Sequence, residues 1–79
     1  MQILEFIKYV RTKPVIEQID EILAFTEIIK LESYNDIKSL PELINYIDGL
    51  RYKIAYNKAT DNVLHDSKLE IIWYDLKRL

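Results

Sequence analysis

Seventy-nine residues, 49% of them apolar, are enough for one small hydrophobic core and a single domain over 1–79, and the lack of cysteine excludes disulfides and thiolate metal sites. Eleven basic against thirteen acidic residues leave a formal net charge of −2, so the charge balance does not select nucleic acid as a partner. No apolar run approaches the ~20 residues that span a bilayer.

The opening MQILEFIKYVRTK has no basic leader ahead of its apolar residues and no small-residue cleavage site behind them. It reads as a first helix and not as a signal peptide, and a cytoplasmic location is expected. The richness in Ile, Lys, Asn and Tyr fits an AT-rich bacterial or phage genome.

The first helix is predicted over about Gln2 to Thr12. Ile3, Ile7 and Val10 follow helical spacing, and Leu4 and Phe6 widen the stripe. Pro14 suits the first turn of a second helix, where its missing N–H costs nothing. Lys13 before it is biased out of the helical region. The two helices therefore meet at TKP.

The second helix runs from about Pro14 to Glu32. Val15, Ile19, Ile22, Thr26 and Ile29 form its central stripe, flanked by Ile16 and Leu23. It carries Glu17, Asp20, Glu21, Glu27 and Glu32 against Lys30, whereas the first helix sets Lys8, Arg11 and Lys13 against Glu5. Such asymmetry can steer a basic or a self-associating partner. ESYNDIKS follows as a loop, with Asn35 and Asp36 as turn residues.

SLPE then opens a third helix, with Ser39 and Glu42 at capping-box spacing and Pro41 in the first turn. It is predicted to reach about Val63 or Leu64. Gly49 inside it would cost about 1 kcal/mol against alanine, which suggests close packing against another helix. HDSKLE is the expected third junction, where Ser67 and Glu70 repeat the capping-box spacing. The last helix aligns Leu69, Ile72, Trp73, Leu76 and Leu79.

At about 100° per residue, Leu43, Ile47, Leu50 and Ile54 share one line of helix three, which Asp61 continues with Asn57 beside it. Tyr52, Tyr56, Ala59 and Val63 lie nearly opposite. Arg51 and Lys58 flank one side of the first line and Lys53 the other, so no single basic-aromatic face forms. Direct, autonomous nucleic-acid binding is not expected. Two readings of the tyrosine side stay open. Helix three is a core element packed on both sides, or the tyrosines are a docking surface, a role that suits large, stiff, amphipathic side chains.

Chemistry is poorly supplied. Asp61 and His65, four apart, could share a helix face as a metal or acid-orienting pair, but no third ligand suggests itself. The Glu17, Asp20 and Glu21 cluster has no Glu-x-x-His companion. There is no glycine-rich phosphate loop. Neither an enzyme, a cofactor nor a metal is expected.

Two stretches carry a resemblance. FIKYVRTKPVIEQIDEIL is similar to the first two helices of the Hha/YmoA proteins in its apolar placement. DGLRYKIAYNKATDNV resembles their long helix, with Asp48, Asn57, Lys58 and Asp61 at matching spacing. Together these cover under half the chain. The stretch between them is longer than in that family, and the basic run after the first helix is reduced to Arg11 and Lys13. The resemblance implies a small regulator that binds the nucleoid protein H-NS, with Asp48 as a structural or partner-binding acid. LINYIDGLRYKIAYNK is also similar to the third helix of bacteriocin immunity proteins, around Tyr52, Ala55 and Tyr56, which implies a protective helical bundle.

The expectation is thus an all-α, four-helix domain with a long central third helix. It would act as a non-enzymatic regulator or inhibitor that binds another protein through Asp48, Tyr52, Tyr56 and Asp61. The alternatives are a bacteriocin-immunity-like helical protein or a self-associating structural protein, such as a homodimer.

Overall fold

The computed structural model describes residues 2–31, 37–56 and 62–79. Among them the chain is all-α: α1 (Ile3–Val10), α2 (Val15–Leu31), a short 3₁₀ turn (Ile37–Ser39), α3 (Leu40–Tyr56) and α4 (Asn62–Lys77). No helix among the described residues is long and apolar enough to cross a membrane.

Helix α1 starts after Gln2, whose extended backbone leaves its carbonyl to accept the Phe6 N–H at 2.9 Å. It ends at the tripeptide before Pro14. There the Thr12 hydroxyl donates to the Tyr9 carbonyl at 2.7 Å, satisfying one of the carbonyls that a helix end leaves open. Pro14 stands just ahead of α2, and its carbonyl accepts the Gln18 N–H at 3.0 Å. Proline here costs no hydrogen bond.

The core is one cluster. Ile3, Phe6, Ile7 and Val10 of α1 pack with Ile19, Ile22, Phe25 and Ile29 of α2 and with the Leu43, Ile47, Leu50, Ile54 line of α3. Leu69, Ile72 and Leu76 of α4 close it. The Phe6 and Phe25 rings stack with centroids 4.1 Å apart, locking α1 onto α2. Helix α3 packs between α1 and α4, and its contact with α4 is the most extensive among the described residues. Burial of this apolar surface, at roughly 25 cal/mol per Å², is the main favourable term.

Four expectations about side chains give way. Leu4, Ile16, Leu23 and Leu79 are exposed. The buried face of α2 is instead widened on its other flank by Gln18 and Phe25, because that flank meets α1 and α3. Gly49 does not mark close packing, since a Cβ built there would meet nothing within 4 Å.

The largest correction concerns the second half of the chain. Helix α3 ends at Tyr56, short of Val63 or Leu64, and α4 is already helical from Asn62. His65, Asp66 and Ser67 lie inside α4, so the expected junction and its capping box do not exist. An ion pair crosses the α3–α4 seam. Arg51 donates to both Asp66 carboxylate oxygens, Nε to Oδ1 at 2.7 Å and Nη2 to Oδ2 at 3.1 Å, with Glu70 at 4.0 Å. The expected ESYNDIKS loop falls partly on residues 32–36, outside the described residues, and its last three residues form the 3₁₀ turn.

Candidate functional site on the third helix

The inner line of α3 is consumed by the core, which leaves its outer side. Tyr52 is 69% exposed there, and Asp48, one turn earlier, is also exposed. The docking alternative for Tyr52 therefore survives and the core alternative does not. Tyr56 is the last residue of α3, but its side chain lies outside the description, as does Asp61 altogether. Asn57 and Asp61, expected to extend the core line, both lie outside the described residues.

Asp48 belongs to a charged seam. It adds to the negative field around Arg51, whose guanidinium is already held by Asp66 and approached by Glu70. The bonds from Arg51 hold the Asp66 carboxyl below its ordinary value of 3.8, against a smaller opposing effect of burial.

On its other flank α3 forms an open groove with α1, and sequence reasoning missed it. One cleft of about 340 Å³ lies between Arg11 and the Asn45, Tyr46, Gly49, Lys53 edge of α3. A second, of about 430 Å³, continues it past Leu4 and Lys8 toward Glu42. Arg11, Asn45 and Tyr46 line both clefts. The open space at Gly49 is part of this groove. Tyr52 lines neither cleft and lies one helical turn beyond Gly49, on the adjoining surface of α3. Three cations, Lys8, Arg11 and Lys53, face one acid, Glu42. The signal was present as Lys8 and Arg11 on the polar side of α1, and as the 46, 49, 53 spacing on α3. It could be read only once α1 was known to lie along α3.

A buried polar tie fixes the groove wall. Tyr46 donates its hydroxyl to Gln18 Oε1 at 2.6 Å, and Gln18 Nε2 donates to the Lys13 carbonyl at 2.7 Å. Gln18 is 5% exposed, so both ends of its amide are satisfied inside the protein. Arg11 lies over the Tyr46 ring at 5.9 Å. Burial pushes the Tyr46 phenol up, and the nearby Arg11 charge opposes that only in part.

Among the described residues no group of three or more His, Asp and Glu side chains could hold a metal ion. His65 is half-buried within α4, and Asp61, its expected companion, is outside the described residues. Comparison with family models, curated proteins and solved structures finds no match for the chain.

Proposed function

We propose that this protein is a small, non-enzymatic regulator or inhibitor that works by binding another protein in the cytoplasm. The outer side of α3 and the α1–α3 groove form its docking face. The observation that carries this reading is Tyr52, 69% exposed on α3 one turn from Gly49, which lines the cationic groove. A large aromatic side chain in that position has the chemistry of an interface anchor. Lys8, Arg11 and Lys53 suit an acidic segment, and Leu4 and Tyr46 offer it apolar contact. The resemblance to the Hha/YmoA proteins supports a partner of the nucleoid or transcription class. Asp48, Tyr52 and Tyr56 are the α3 residues assigned to contact, with Asp61 following them in sequence.

The experiment is capture of the partner from nuclease-treated host lysate, followed by titration of the purified pair. Tyr52→Ala is expected to weaken binding by at least about 1 kcal/mol, while urea unfolding shifts by less than about 0.5 kcal/mol. Unchanged affinity would remove Tyr52 from the interface and this reading with it.

A further inference from the structure

Helix α2 is apolar nearly all round, a pattern that belongs to a helix covered on both sides. Its inner face is covered by the core, but its outer face is not. Ile16, Leu23 and Ile28 are between 43% and 50% exposed, and Leu31 is 84% exposed. Between them run the exposed carboxylates of Glu17, Asp20 and Glu27. Of these, Glu27 has a cation at hand, Lys30 at 3.4 Å, and Lys30 is also held by Asp75 at 3.1 Å. The face is thus an acidic, apolar helix surface with no covering element among the described residues.

The α1–α3 groove is its chemical complement. It offers Lys8, Arg11 and Lys53 against the single acid Glu42, an exposed Leu4 and the Tyr46 ring, with open space over Gly49. We infer that the occupant of this groove is the outer face of α2 from a second copy of this chain. The inference rests on the groove being a docking face and names a partner for it. Because two different surfaces meet, a two-fold pair makes the contact twice, and any other arrangement makes a head-to-tail chain or ring. In either case self-association covers the groove and competes with an outside protein for it.

The test is sedimentation equilibrium over a concentration series at low and high salt. Two variants are added, both altering exposed residues away from the Gln18–Tyr46 tie. Lys8→Glu with Lys53→Glu reverses the groove, and Glu17→Lys with Asp20→Lys reverses the helix. Circular dichroism checks that both fold. Wild type is expected to self-associate, less so at high salt. Each variant alone is expected to lose about tenfold or more in association constant through like-charge opposition. Mixing the two variants restores complementarity and should recover association in a 1:1 ratio. A wild type that stays monomeric throughout, or a variant that associates like wild type, overturns the inference. If self-association is absent but an outside partner still binds through Tyr52, only this inference falls. If partner binding is also insensitive to Tyr52, the docking reading falls with it.

Discussion

At the scale of single residues, two buried polar groups behave oppositely. Thr26 is 1% exposed, and its Oγ1 has no hydrogen-bond partner among the described residues. A hydroxyl buried in this way carries its desolvation cost uncompensated. Thr26→Val, which keeps the shape and removes the hydroxyl, is expected to raise the unfolding free energy in urea by about 1 kcal/mol. An equal loss would show that the hydroxyl has a bonding role. Gln18 is the reverse case, bonded at both ends of its amide. Tyr46→Phe deletes one donor and strands Gln18 Oε1, so a loss of about 1–2 kcal/mol is expected. The Tyr46 phenol is raised above its ordinary value of 10.0 in the folded state. Its proton is therefore held more tightly when folded, and stability falls as pH rises from that ordinary value toward the folded one. Tyr46→Phe should flatten that part of the alkaline stability profile.

At the scale of elements, the seam between α3 and α4 joins a continuous apolar contact to one bidentate ion pair. The Asp66 side chain is 41% exposed, so solvent screens the pair, and Asp66→Asn is expected to cost at most about 1 kcal/mol. The pH dependence has a definite sign. Asp66 has a lower carboxyl value when folded than its ordinary 3.8. The contribution of the pair is complete above that ordinary value and is lost as pH falls through the folded one. Stability measured across this acid range should fall less steeply in Asp66→Asn than in wild type, and equal slopes would assign the acid loss to other carboxylates.

Elements also show what the sequence could and could not reveal. The α1 and α2 boundaries were legible to within about two residues, because Pro14 and the apolar spacing agree locally. The line Leu43, Ile47, Leu50, Ile54 was legible for the same reason, and all four residues are buried. The junction expected at HDSKLE was misread because Ser67 and Glu70 stand at capping-box spacing. A spacing of three recurs by chance, and here both residues are interior to α4. The exposure of Ile16 and Leu23 was not legible. The central stripe of Ile19, Ile22, Thr26 and Ile29 was legible, but apolar residues on both sides of it leave the covered flank open until the neighbours are placed, and α1 and α3 take the Gln18 and Phe25 flank.

At the scale of the whole molecule, a net charge of −2 conceals a separation of charge. The α1–α3 groove collects cations, the outer face of α2 collects carboxylates, and exposed aliphatic residues accompany the latter. Among the candidate residues, the structure makes Asp48 and Tyr52 accessible on the outer side of α3 and adds the neighbouring groove to them. The direct measurement is a map of backbone amide shifts in isotope-labelled protein as the captured partner is added. Shifts concentrated at Lys8, Arg11, Asn45, Gly49, Tyr52 and Lys53 are the expected result. Shifts confined to the far side of α4, around Ile71 and Tyr74, with none along the groove, would contradict a docking face on the third helix.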